Sequence, residues 1–293
     1  MARAGGLLLL LLACALARAE SDMELLRKAS SALCASTHSR FARLRADTVP
    51  KVELEPPGTV SPAGFNVFVV FGVRPCSGVL VSEWHILTSA YCTEHAINGT
   101  AFLGGTKYQS MADVRQPEVV VAVVSDIRVF SGSDRHLDHD VAIGKLSRKC
   151  EPNAHINHAA LTSVTKWDEP RVGIMMGFGE TFEGDFAHVL GSASVTLECG
   201  EMCSQEVTTY RLGENALCGV NTTYAMCWGD MGGAVMDNEG KLAGLIAYKT
   251  FKSPKSSEHQ TTRLCAQKAR NIFFMFIGYY RDWISSVISA SET

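Results

Sequence analysis

The most constraining feature of this 293-residue chain is the run Cys227-Trp228-Gly229-Asp230-Met231-Gly232-Gly233. It places three glycines and an aspartate around a single methionine, next to a cysteine. A thioether sulfur carries no proton to give up and is only a weak hydrogen-bond acceptor. Met231 therefore cannot act as a covalent nucleophile.

Two earlier segments carry equally specific patterns. One runs from Cys76 to Cys92 with the letters C-S-G-V-L-V-S-E-W-H-I-L-T-S-A-Y-C, so that Tyr91 precedes the second cysteine. The other is Asp138-His139-Asp140-Val141-Ala142-Ile143-Gly144-Lys145-Leu146, a polar start followed by an apolar strand.

Together, these segments resemble the trypsin- and chymotrypsin-like serine proteases. The family patterns are C-G-G-x-L-I-x-x-x-W-V-L-T-A-A-H-C, D-I-A-L-L-K-L and C-x-G-D-S-G-G, and the order His, Asp, Ser is kept here as Tyr91, Asp140, Met231. The resemblance puts Tyr91 at the position of the general base, Asp140 at that of the orienting carboxylate and Met231 at that of the nucleophile.

Two of the three catalytic groups are thus replaced. A phenol with a pKa of about 10 keeps its proton at neutral pH and cannot serve as a general base. We therefore predict a catalytically inactive homologue rather than an enzyme. His85, six residues before Tyr91, is the alternative base, but its place within a strand favours an ordinary structural histidine.

The resemblance implies an all-β fold of two antiparallel six-stranded β-barrels with a C-terminal helix. We expect the protease-like domain at residues 52–293, with barrels at about 52–163 and 165–277. The helix is expected around Tyr280–Ile288, where Trp283, Ile284, Val287 and Ile288 recur at helical spacing.

The N-terminal region reads as a secretion signal followed by a pro-segment. Residues 1–19 combine Arg3, a leucine run and Ala17-Arg18-Ala19, and residues 20–51 form a pro-segment-like region. No later stretch reaches the length of a membrane span, so we expect a secreted, extracellular protein. A net charge of −3 and a pI near 6.3 give no reason to propose nucleic acid as a partner.

Ten cysteines occur, and loss of Cys14 with the signal leaves nine. The resemblance implies the disulfides Cys76–Cys92, Cys203–Cys218 and Cys227–Cys265. Cys34 is then expected to tether the N-terminal segment through Cys150 or Cys199. The odd number leaves one thiol that is free or pairs between chains.

Activation of family members requires a cut before an I-V-G-G-like start. Lys51-Val52 stands at the matching place, but Val52-Glu53-Leu54-Glu55 lacks both glycines that let a new terminus bend into its pocket. Asp230 would then need another partner, because a buried unpaired carboxylate is costly. Arg74, two residues before Cys76, is a candidate for that role, and a solvated loop cation is the alternative.

The substrate pocket also departs from the family. Ala225, at the position that sets charge preference, implies no preference for Lys or Arg. Ala247-Tyr248-Lys249 replaces S-W-G, and Asn271 replaces a second small glycine, so Lys249 and Asn271 should narrow the cleft. Gly229 is kept, so the shape of an oxyanion hole is expected to persist.

Other motifs are weaker. His136-x-x-His139 and His155-x-x-His158 have the spacing of metal ligands but lack a cysteine-histidine framework, so we predict neither a metal site nor a cofactor. Asn98 and Asn221 begin glycosylation sequons. A basic loop around Cys265 is either a solvated face or a site for a sulfated glycan; its members are Lys249, Lys252, Lys255, Arg263, Lys268 and Arg270.

These observations predict a secreted non-catalytic protease homologue that acts as a regulator or decoy. Its partner would be an extracellular protein, such as a protease or inhibitor of a proteolytic or defence cascade. Two alternatives stay open: a divergent serine-type hydrolase with residual activity, and a heparin- or glycan-binding module.

Overall fold

The structure is a computed structural model that describes residues 64–108, 111–131, 138–179, 188–200, 213–220, 226–250 and 271–292. All of these residues belong to one unit, which spans Val49–Thr293. The bounds given below are those of elements within these ranges.

Six antiparallel strands close the first barrel. They are β1 (Asn66–Phe71), β2 (Arg74–Ser82), β3 (His85–Thr88), β4 (Gly99–Leu103), β6 (Val120–Val129) and β7 (Ala142–Leu146). Neighbouring strands follow the order β1-β2-β3-β7-β6-β4. Strand β6 is rich in β-branched residues, which favour extended backbone.

Six further strands close the second barrel in the order β10-β11-β14-β13-β12-β8. They are β8 (Arg171–Gly177), β10 (Gly191–Cys199), β11 (Ala216–Val220), β12 (Ala234–Met236), β13 (Leu242–Thr250) and β14 (Asn271–Phe276). A separate two-stranded sheet, which the sequence did not predict, pairs β5 (Lys107–Tyr108) with β9 (His188–Val189).

Three helices complete the described part of the chain: α1 (Ala90–Thr93), α2 (Met111–Val114) and α3 (Ile277–Glu292). Helix α3 buries Ile277, Tyr280 and Ile284 in the core, which accounts for the helical spacing of its apolar residues. The predicted pair of six-stranded barrels with a C-terminal helix is thus confirmed. Within the described ranges, no helix has the length and apolar character that a membrane crossing requires.

Each barrel encloses its own apolar cluster. Val67, Val69 and Leu80 are fully buried in the first, and Leu197, Phe274 and Ile272 in the second. Met231 packs against both clusters, so this residue of the glycine-rich run lies where the two barrels meet. The candidate site is therefore built between two rigid cores.

Candidate functional site

Tyr91 lies on the short helix α1, directly after strand β3. The Arg74 guanidinium is stacked over its ring, 4.2 Å from the ring centroid, and donates a hydrogen bond to the Tyr91 carbonyl. The same guanidinium is 3.7 Å from the Glu94 carboxylate. A cation over an aromatic face is attracted by the ring quadrupole, so Arg74 holds the Tyr91 ring in place.

Both sequence-based interpretations of Arg74 are wrong. Arg74 opens strand β2 and is half-buried, so it is not a solvated loop cation. Its hydrogen bond and its ion pair go to Tyr91 and Glu94, so it is not the partner of Asp230. The strand aims the side chain at α1, which is joined to β2 by a disulfide.

Asp140 is buried, with 1% of its surface exposed, and its carboxylate is already satisfied. The Ser89 hydroxyl is 2.7 Å from both carboxylate oxygens, and the Tyr91 backbone N–H donates to Oδ1 at 2.8 Å. Ser89 stands where the family pattern has alanine, so the hydroxyl is an addition that sequence reasoning missed. Tyr91 thus contacts the Asp140 carboxylate through its backbone N–H.

The glycine-rich run forms a turn in which Gly229 and Gly232 have φ of +97° and +82°. A side chain at Gly229 would overlap the Phe178 carbonyl, and one at Gly232 would overlap the Ser77 carbonyl and the Thr88 hydroxyl. Only glycine meets both the backbone and the steric requirement at these two positions. The turn is therefore fixed by close backbone packing.

Ser77, which replaces a glycine of the family pattern, fastens this turn to the first barrel. Its hydroxyl donates to the Gly229 carbonyl at 2.7 Å and accepts from the Phe178 N–H at 2.8 Å. Its own N–H donates to the Met231 carbonyl at 2.8 Å. Sequence reasoning missed this residue too, although the serine in place of glycine was visible.

Met231 brings only a thioether to the space between the barrels. Its side chain is half-buried, and its carbonyl oxygen lies 3.7 Å from the Cys92 sulfur, next to Tyr91 in sequence. The structure therefore places the three predicted site residues, Tyr91, Asp140 and Met231, around one inter-barrel region. The methionine side chain has no proton to donate, and its sulfur is only a weak hydrogen-bond acceptor.

Asp230 is fully buried beside the turn, and its Oδ2 accepts the Cys227 N–H at 2.7 Å. Gly177 and Gly179 lie so close to the carboxylate that any side chain there would overlap it. The carboxylate is thus packed against backbone from strand β8 and the residues after it.

The turn keeps two donors of the kind an oxyanion hole uses. Among the described residues, neither the N–H of Gly229 nor that of Met231 donates a hydrogen bond to the protein. Gly229 is buried and Met231 half-buried, and the amides of these two residues stand at the positions where the family resemblance expects an oxyanion hole. Next to them, Trp228 has 61% of its surface exposed.

The pocket positions are only partly described. Ala247 is buried in a bulge of β13, and the following Tyr248 stacks on Phe273 with ring centroids 4.6 Å apart. Lys249 and Asn271 lie at paired ends of β13 and β14, where only their backbone is described. Ala225 lies outside the described residues.

The cysteines correct one predicted pairing. Cys76 and Cys92 are joined by a disulfide. Cys199, Cys218 and Cys227 are also disulfide-bonded, and Cys34, Cys203 and Cys265, their predicted partners, lie outside the described residues. Cys150 is a free, buried thiol, so the tether through Cys150 is wrong and the one through Cys199 stays a prediction.

The surroundings of Cys150 explain why it stays reduced. Its N–H donates to the Glu83 carbonyl at 2.8 Å, its own carbonyl is 3.1 Å from His158 Nε2, and its side chain faces the first barrel core. Burial raises the pKa of the Cys150 thiol, which keeps it protonated and unreactive at neutral pH.

We expect Cys150 to resist thiol reagents until the protein unfolds. Native protein treated with a disulfide reagent that reports free thiols should give almost no signal from this residue, whereas protein in concentrated guanidinium chloride should react at Cys150. Mass mapping of the labelled peptide checks the assignment, and Cys150→Ala is the control. Rapid labelling of Cys150 in native protein would contradict its burial.

The histidines have structural contacts. The two ring nitrogens of His85 lie 2.8 Å from Ser82 Oγ and 2.6 Å from Ser291 Oγ, so the residue ties β3 to helix α3 as an ordinary strand histidine. His139 Nδ1 is 2.9 Å from the Tyr280 hydroxyl, and burial lowers the pKa of His139. No group of three metal-ligating side chains occurs among the described residues.

Several predicted sites lie wholly or partly outside the described residues. Asn98 is exposed and accessible for glycosylation, whereas Asn221 is not described. The signal peptide, the pro-segment, the Lys51-Val52 cleavage site and His136 are outside as well. So is most of the basic loop, namely Lys252, Lys255, Arg263, Lys268 and Arg270.

Comparison with known proteins supports the resemblance read from the motifs. The family model described as trypsin matches residues 59–283. Serine protease grass of Drosophila melanogaster is 28% identical over 235 residues, which cover 74% of this chain and 60% of that protein. The chain thus matches less than two thirds of this relative's length.

Two further relatives are matched over most of their length. A beta-fibrinogenase-like protein of Daboia siamensis is 24% identical over 77% of this chain and 82% of its own. Trypsin-3 of Salmo salar is 23% identical over 78% of this chain and 89% of its own.

Proposed function

Because the chain belongs to the trypsin family of serine proteases, we propose that it is a non-catalytic member that acts outside the cell as a protein-binding regulator or decoy. The observation that carries this proposal is the pair Tyr91 and Met231 at the base and nucleophile positions. The phenol keeps its proton at neutral pH, and the thioether has none to transfer.

The neighbourhood of Asp140 supports the proposal. A carboxylate that orients a catalytic histidine must accept a hydrogen bond from that imidazole. Here, Ser89 donates to the Asp140 carboxylate, and so does the Tyr91 backbone. The carboxylate therefore has hydrogen-bond donors without a histidine. Buried polar groups need such partners, so a structural role accounts for the contacts of Asp140.

The preserved turn supports binding rather than turnover. Gly229 and Met231 offer two unused N–H groups, and a peptide carbonyl from a partner would fit such a pair without being attacked. Ser77 and the buried Asp230 hold the turn in one shape. A rigid donor pair costs little ordering entropy on binding.

Trp228 gives this surface an anchor. It is a large aromatic side chain, 61% exposed, on a turn that packing fixes on both sides. Exposed aromatic residues on rigid backbone are typical centres of protein interfaces, where truncation of one such residue often costs about 2 kcal/mol or more. We therefore assign the partner to the face that carries Trp228 and the half-buried Met231.

Binding to a panel of protein inhibitors and active proteases of the trypsin family tests the proposal. We expect at least one member to bind the chain without being cleaved, and Trp228→Ala to weaken that complex about 30-fold or more. Val123→Ala removes another exposed apolar side chain, on the outer face of β6, and should change nothing. An affinity that Trp228→Ala leaves unchanged, or cleavage of the bound partner, would count against this role.

A further inference from the structure

A groove of about 420 Å³ lies between the first barrel and the C-terminal helix α3, away from the inter-barrel site. The lining has apolar members, Ile143, Val287 and Ala290, and charged members, Asp126, Arg128 and Lys145. Its volume falls at the lower end of the range for small-ligand sites, about 300–1,000 Å³.

A β-bulge shapes the groove. The register between β6 and β7 shifts between Ser125 and Arg128, where Ser125 pairs with Lys145 and Arg128 pairs with Ile143. Asp126 sits in this bulge with φ of +45°, a conformation that costs energy for a residue other than glycine. Bulges re-aim side chains, and this one places the Asp126 and Arg128 side chains at the rim of the groove.

The charges in the groove do not cancel. Arg128 is paired with Asp126 at 2.8 Å. Lys145 donates to the Ser291 carbonyl at 2.9 Å, and within the described ranges it forms no ion pair. Lys145 is a half-buried residue, and its ammonium group keeps two N–H bonds beyond the one that it donates to Ser291.

We propose that this groove binds an amphipathic anion, a carboxylate carried on a short apolar chain. The carboxylate would accept hydrogen bonds from Lys145, and the chain would lie against Val287 and Ala290. Charge-assisted hydrogen bonds in a partly dry site are roughly twice as strong as neutral ones, which favours an anion over an alcohol of the same length. The proposal concerns a second site and is independent of the inert inter-barrel site.

A substitution at Asp126 should increase the affinity for the anion, whereas a misfolded variant would lose affinity. The Asp126 carboxylate repels an anion and occupies Arg128, so Asp126→Asn should tighten octanoate binding about two- to fivefold. Asparagine tolerates positive φ better than most residues, so the bulge should be kept. Lys145→Met removes the receiving charge and should weaken binding about tenfold or more.

Isothermal titration with sodium octanoate, with octylammonium chloride as the charge-reversed probe, measures these effects on the full chain. Lys149→Met removes another lysine of the first barrel, one paired with Glu83 and Glu151 outside the groove, and should have no effect. Ala290→Trp should abolish binding by filling the groove. The neighbouring exposed Ser289→Trp, which is not part of the lining, should not.

Octanoate binding that Asp126→Asn strengthens and Lys145→Met weakens supports the site. The proposal fails if octanoate does not bind, if octylammonium binds as tightly, or if both charge variants shift affinity in the same direction. It also fails if Ala290→Trp leaves the affinity unchanged.

Discussion

The double variant Tyr91→His and Met231→Ser should hydrolyse peptide esters at least about 10⁴-fold more slowly than an active member of the trypsin family. Both missing groups are present in this variant, so any remaining deficit must come from their surroundings. A kcat/KM comparison with trypsin measures it. Turnover within about a hundredfold of trypsin would show that the surroundings are competent.

Arg74 is one reason for the expected deficit. Its guanidinium lies 4.2 Å from the centre of the Tyr91 ring, so it would stand beside an imidazole placed there. General-base catalysis develops a positive charge on that imidazole. Two like charges about 4 Å apart near a protein surface repel by about 4 kcal/mol, which would lower the pKa of the imidazole and slow proton removal.

Ser89 is the second reason. Its hydroxyl occupies the Asp140 carboxylate that a histidine would have to use for orientation. Adding Arg74→Gln and Ser89→Ala to the double variant should therefore raise its activity by tenfold or more. Ser147→Ala serves as the matched control, because the Ser147 hydroxyl accepts a hydrogen bond from the Val123 backbone in β6. Adding this substitution to the double variant should not raise its activity.

Gly232→Ala should destabilise the protein by about 4 kcal/mol or more. The new methyl group would overlap the Ser77 carbonyl and the Thr88 hydroxyl, both in the first barrel, while Gly232 belongs to the turn before the second barrel's β12. The overlap with backbone cannot be relieved by a side-chain rotation. The substitution would thus separate the two barrels or distort the turn.

Gly240→Ala is the matched control for this effect. Gly240 also has a positive φ, +72°, but nothing lies within 4 Å of an added methyl group. It should cost only the backbone penalty of about 1–2 kcal/mol. Urea unfolding of both variants separates the two contributions. Equal losses for Gly232→Ala and Gly240→Ala would mean that the inter-barrel packing at the turn is loose.

Much of the fold was predictable because its signals are local. The segments around Tyr91, Asp140 and Met231 carry fixed residues in fixed order, and the β-branched runs and the helical spacing near Trp283 set the element types. The three segments carry the family resemblance, which implied both barrels, and the helical spacing supported the helix. They did not predict the β5–β9 pair, since each strand has only two residues and no period to read.

The finer contacts of the site were not predictable because they join distant positions. Ser77 and Gly229 are 152 residues apart in sequence, and Ser89 and Asp140 are 51 apart. Nothing in a single sequence says which buried carboxylate a hydroxyl will reach. The same limit explains the error for Arg74, whose partner depends on which way strand β2 faces. Among the cysteines that the structure describes, Cys150 is the unpaired one, which its spacing in the sequence did not indicate.

The most direct measurement is the reaction of the purified, unaltered protein with a fluorophosphonate probe for serine nucleophiles, run beside active trypsin with matched peptide-ester assays. We predict neither labelling nor hydrolysis above the level of heat-denatured protein, because Met231 offers no nucleophile and Tyr91 no base. Labelling that a single substitution abolishes, accompanied by ester hydrolysis, would contradict the proposal that this trypsin-family chain is inert.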